Sequence, residues 1–128
     1  ILIPFAAGGP TDMIARLLAE GMQRELGQPV AAENVTGAGG TIAAARVAQA
    51  RADGHTLLIH HIGLASAATL YRQLPFSITQ GLAPLGLVSH TGMVLVARPD
   101  FPASDTPGYI RVLRERGDAL NLGHSGLG

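Results

Sequence analysis

The strongest chemical signal near the start of the chain is a glycine loop. Phe5-Ala6-Ala7-Gly8-Gly9-Pro10 follows the apolar run Ile1-Leu2-Ile3 and leads into Thr11-Asp12. Gly8 and Gly9 carry no side chains, so the backbone of such a loop can approach a bound group closely. A helix starting at Thr11 leaves its first amides without internal partners and adds roughly half a positive charge at that end. Peptide N–H groups and helix dipole together hold a carboxylate or phosphate without any lysine or arginine. The same segment also reads as a plain turn joining strand to helix, and it matches neither GxGxxG nor the Walker lysine pattern. Asp12 has two readings: a first-turn acid that complements the dipole, or a pocket residue that accepts from a ligand's amine or hydroxyl.

Gly37-Ala38-Gly39-Gly40 before Thr41 offers the same physics again, and Gly123-His124-Ser125-Gly126-Leu127-Gly128 is a third such loop, in which His124 and Ser125 are hydrogen-bond donors. His60 and His61 close another apolar run. Neighbouring side chains on a strand point to opposite faces, so at most one of the pair reaches a pocket directly, and either also reads as an ordinary strand-end histidine. A metal site is not expected, because no third ligand stands at helical spacing nearby and cysteine is absent. Ser66 and Ser125 lack a GxSxG context. Asp12 and Glu33 are the only acids near loop ends, so no carboxylate pair suggests itself. The residues point to a binding protein rather than an enzyme, with no cofactor. The open alternative is an enzyme domain that holds a phosphorylated cofactor through the glycine loops.

These loops need elements to hold them. Residues 1–4 read as a buried strand, and 11–26 as a helix carrying Ile14, Leu17, Leu18, Met22 and Leu26 at helical spacing, stopped by Gly27. Residues 29–33 form a second expected strand, 41–51 an alanine-rich helix suited to close approach, and 55–60 a third strand. A short helix over 63–71 follows, then strands over 83–89 and 93–97. The spacing predicts a helix from Thr106, with that hydroxyl as cap and Pro107 in the first position, running to Arg116 before a last strand over 120–122. Strand, glycine loop and helix recur twice within about sixty residues, which is the rhythm of βαβ units in an α/β fold with a mainly parallel sheet flanked by helices. Prolines 99, 102 and 107 mark either a domain boundary or a surface loop.

The chain has 128 residues, is 47% hydrophobic and 14% charged, and balances nine arginines against nine acids with no lysine. It is too apolar for disorder and lacks the basic excess of a nucleic-acid binder. No run reaches the ~18 apolar residues of a membrane span, so no direct membrane insertion is expected. Its opening inside a strand and its closing glycine loop suggest a piece of a longer protein, with a leader and a carboxyl-terminal part lying outside it.

Pro4-Phe5-Ala6-Ala7-Gly8-Gly9-Pro10-Thr11-Asp12 resembles the first ligand loop of the Bug, or TctC-like, family, the periplasmic solute-binding proteins of tripartite tricarboxylate transporters. The resemblance continues through Leu26-Gly27-Gln28-Pro29-Val30, Glu33-Asn34, Gly37-Ala38-Gly39-Gly40, Ala52-Asp53-Gly54-His55-Thr56-Leu57-Leu58, Leu70-Tyr71, Leu74-Pro75-Phe76 and Leu120-Asn121-Leu122-Gly123. It implies a type II periplasmic-binding-protein architecture, in which two α/β lobes close on a small carboxylate or dicarboxylate that is passed to membrane transporter subunits. Residues 1–98 would form most of lobe one and 99–128 the start of lobe two, in a protein roughly twice this length. By position, the resemblance makes Phe5, Ala6, Ala7, Gly8 and Gly9 the loop that receives a carboxylate, bordered by Thr11 and Asp12. His60 and Gly63 would line the third-strand loop, and His124, Ser125 and Gly126 the lobe-two loop. Where the family usually carries small or hydroxyl residues, this chain has His60, His61 and Ile62, a departure that bears on which solute fits.

Overall fold

A computed structural model describes residues 1–90, 92, 94–121 and 123. The expected Leu-Ile run becomes β1 (Leu2–Ile3), whose side chains are both buried; Ile3 and Pro4 are the largest fully enclosed residues. β2 (Glu33–Asn34) pairs with it in parallel, Leu2 opposite Glu33 and Ile3 opposite Asn34. The third expected strand is reduced to one parallel bridge, Leu2 to Leu58. Leu2 N–H donates to Leu57 O at 2.7 Å, and Ile59 N–H donates to Leu2 O at 3.2 Å. β1 is therefore central, with β2 on one edge and residues 57–59 on the other. The chain leaves β1 and Leu58 at the same carboxyl end, where open parallel sheets place their ligands.

α1 (Pro10–Leu26) starts one residue earlier than its periodicity suggests, because Pro10 fits the first helical position, where no N–H is needed. Its buried stripe is Asp12, Ala15 and Ala19 rather than the expected leucines; Leu17 and Leu26 are 68% and 60% exposed. Small side chains let the helix lie close to β1, while Ile14, Leu18 and Met22 are only partly covered. Gly27 closes α1 in the left-handed conformation (φ 65°), its N–H donating to Gln23 O. A Cβ there would meet no atom within 4 Å, so Gly27→Ala isolates the backbone term and should lower stability by about 1 kcal/mol. The check is a fall in urea midpoint at unchanged slope.

A 3₁₀ turn at Ala38–Gly40 leads into α2 (Thr41–Ala48), shorter than expected, with Ala43 and Ala44 wholly buried toward β1. α3 (Gly63–Leu70) buries Ala67.

Residues 1–84 form one compact unit, and a second begins at Leu85. The expected strands over 83–89 and 93–97, which fall at the end of the first unit and in the second, form no ladder among the described residues. Leu85, Leu87, Val94 and Val96 are each more than four-fifths exposed. Alternating apolar residues make a strand only where a partner edge accepts their backbone bonds. α4 (Thr106–Arg116) forms as expected but is capped differently. Asp105, not Thr106, accepts from an amide, that of Gly108 at 2.8 Å, so Thr106 and Pro107 fill the first two helical positions. Met93 and Leu122, called here as strand residues, and the candidates His124, Ser125 and Gly126 lie outside the described residues. No described helix is long and apolar enough to cross a membrane.

Candidate functional site

Three segments converge at the carboxyl end of the small sheet: the Phe5–Gly9 loop after β1, the Gly37–Gly40 turn after β2, and residues 60–63 after the Leu58 bridge. Each sharp turn uses a glycine. Gly8 (φ 81°), Gly37 (φ 124°), Gly39 (φ 61°) and Gly40 (φ 92°) all adopt backbone conformations closed to most side chains.

The first loop is shaped by one carboxylate. Asp12, 3% exposed, accepts from Gly8 N–H at 2.9 Å through Oδ2. Arg16, one helical turn on, donates from Nε to both carboxylate oxygens at 3.1 and 3.0 Å. Asn34, at the end of β2, donates from Nδ2 to Asp12 Oδ1 at 2.8 Å and to Phe5 O at 3.0 Å, while its own Oδ1 accepts from Arg16 Nη2 at 2.9 Å. The Arg16 hydrogen bond, then those from Gly8 and Asn34, hold the Asp12 carboxyl well below its ordinary range. The first-turn role thus extends to a clamp that fixes loop, helix and strand together.

That clamp sorts the loop's amides. Gly8 N–H is taken by Asp12, and Gly9 N–H donates to Ala6 O at 3.3 Å. The amides of Ala6, Ala7, Thr11 and Asp12 have no acceptor among the described residues, and Ala6 and Ala7 are exposed. Both glycine amides are therefore engaged inside the loop; the N–H groups left for an anion belong to their neighbours and to the first turn of α1.

The histidine pair takes up two different positions. The His60 ring makes an edge contact with Phe5 (centroids 5.4 Å) and is pressed onto Gly40. Its Nε2 is buried against the Gly40 backbone without hydrogen-bond geometry, and burial pushes the ring's pKa down, with that backbone only a minor counterweight. His61 is exposed and stacks on Phe5, with centroids 4.4 Å apart and planes at 11°. Both rings thus touch Phe5, which strand alternation alone does not suggest. Gly63 follows, its N–H donating to His61 Nδ1 at 2.9 Å.

Sequence reasoning missed two members, Arg16 and Asn34. The spacing of Asp12 and Arg16 at i and i+4 was a usable signal, whereas Asn34 needs the parallel register to place it. Among the described residues no group of three or more His, Asp or Glu side chains is arranged for a metal. A hollow of about 670 Å³ lies along α2, lined by Thr41, Ile42, Ala45, Arg46, Gln49 and Pro75 among others, and by none of residues 5–9 or 60–63.

Comparisons with known proteins bear on the family of the chain. The sequence model of the family described as "Tripartite tricarboxylate transporter family receptor" matches residues 14–128. A UPF0065 protein of Bordetella pertussis is 42% identical over 129 residues, covering 100% of this chain and 40% of that protein. MatC from Rhodopseudomonas palustris, solved with bound malate, superposes with a TM-score of 0.82 at 40% identity, over 93% of this chain and 41% of MatC. A second R. palustris protein, solved with adipate, gives 0.61 at 30% identity, over 90% of this chain and 39% of its own. The chain spans about two-fifths of the length of these relatives.

Proposed function

The chain belongs to the tripartite tricarboxylate transporter family of receptors, and on that premise we propose that it forms the carboxylate-capturing part of a periplasmic solute receptor. Residues 1–98 supply most of one lobe and 99–128 the start of a second. The lobes close on a small organic acid, and membrane transporter subunits read the closed form. The observation that carries this reading is the set of acceptor-free amides at Ala6, Ala7, Thr11 and Asp12, at the carboxyl end of a central parallel strand. Such N–H groups, backed by the α1 dipole, suit a carboxylate, and each charge-assisted bond is worth roughly 1.5–3 kcal/mol. The relatives solved with malate and adipate support the same ligand class. The role involves no catalytic step: the acid nearest the loop, Asp12, already accepts from three donors.

The test is calorimetry of the protein at its full natural length against malate, adipate, succinate and butyrate, with ATP as the control. Heat with at least one acid and none with ATP is expected. Heat with ATP alone would transfer the loop to a phosphorylated cofactor and end the receptor reading.

A further inference from the structure

We propose that His61 determines specificity at this site. Its Nε2–H donates to an oxygen of the bound acid other than the carboxylate at the loop amides, so that dicarboxylates are preferred over monocarboxylates. The inference rests on the carboxylate-receptor reading and adds to it the residue that selects among acids.

The geometry fixes both the position and the tautomer of this ring. Gly63 N–H donates to Nδ1 at 2.9 Å, so the neutral ring carries its proton on Nε2. The ring lies flat on Phe5, the residue directly before the free amides of Ala6 and Ala7. It also sits over Gly63: a Cβ there would fall 2.6 Å from Cε1 and 2.9 Å from Nδ1, so only glycine admits this placement. An exposed N–H donor held by a stack and a backbone bond is already oriented, which removes much of the ordering cost of binding. His60 cannot take this part, because its Nε2 is buried against Gly40. The competing role for His61 is mere support of Phe5, which would affect every ligand alike.

Succinate and butyrate separate the two roles, since they match in carbon number and differ by one carboxylate. His61→Phe keeps a ring on Phe5 and removes the donor. In the full-length protein it should weaken succinate about tenfold and leave butyrate within about twofold. His61→Gln, which restores an N–H at similar reach, should recover most of the succinate preference. Equal weakening of both acids, or no change in either, would overturn the proposal while leaving the receptor reading intact. A wild-type protein that binds neither these acids nor malate or adipate would overturn both.

Discussion

Gly40→Ala lowers the unfolding free energy by about 2–4 kcal/mol, well beyond the cost of a methyl group at a glycine with open space around it. Two costs add at this buried position. The backbone stands at φ 92°, where an L side chain is strained by about 1 kcal/mol or more. The new Cβ would also fall 2.4 Å from His60 Nε2 and 2.8 Å from Pro4 Cβ. Neither neighbour yields easily: Pro4 is fully enclosed, and the His60 ring is held between Phe5 and His61. Overfilling such a site costs about 1–3 kcal/mol. Gly27→Ala and Gly54→Ala are the controls, since both positions have positive φ and open space around a Cβ. Urea midpoints at constant slope should rank Gly40→Ala well below either. In a double-mutant cycle, His60→Ala should relieve part of the loss, because the two residues share one space. A Gly40→Ala protein as stable as the Gly27→Ala protein would mean that His60 does not occupy this space.

This dependence explains how much the sequence could reveal. Glycine positions after apolar runs were readable, because turns with positive φ demand glycine and strands demand apolar residues. The helices at Pro10–Leu26, Thr41–Ala48, Gly63–Leu70 and Thr106–Arg116 followed from period and punctuation. Strand extent did not, since a ladder needs a partner edge: Leu58 finds one in Leu2, while Leu85 and Val94 find none among the described residues. The site was legible in outline only. That Gly8 presents a turn could be read from its type; that its amide is bound to Asp12 depends on where α1 lies. Asn34 joins that network through register with β1, a relation between residues about thirty apart, and local spacing carries no trace of it. His60 and His61 were placed on opposite faces by strand alternation, but the strand ends near Leu58, and beyond it the chain turns so that both rings reach Phe5.

Asp12→Ala should weaken carboxylate binding by about tenfold to a hundredfold, although the Asp12 carboxylate itself offers an anionic ligand only repulsion. Two effects oppose each other. Removing the negative charge leaves Arg16 free to attract an anion, but its side chain is half exposed and its field is screened by solvent. Losing the carboxylate also releases Gly8 N–H and leaves Asn34 Nδ2 only its bond to Phe5 O, so the loop that displays Ala6 and Ala7 loses its anchor on the helix. Loop geometry should win. Asp12→Asn, which keeps an oxygen for Gly8, should recover part of the affinity; if both variants bind as the wild type does, the clamp does not shape the site. Acid pH gives an independent check. The folded pKa of Asp12 is depressed, so its stabilisation is complete above the unfolded value of about 4 and is lost as pH falls through the folded value. His60, also depressed, destabilises the fold when it must charge, beginning below about 6.5. The wild type should therefore lose stability in two stages on acidification. Asp12→Asn should keep the first stage and flatten the second, and an unchanged acid limb in that variant would place the charge of Asp12 outside the stability of the fold.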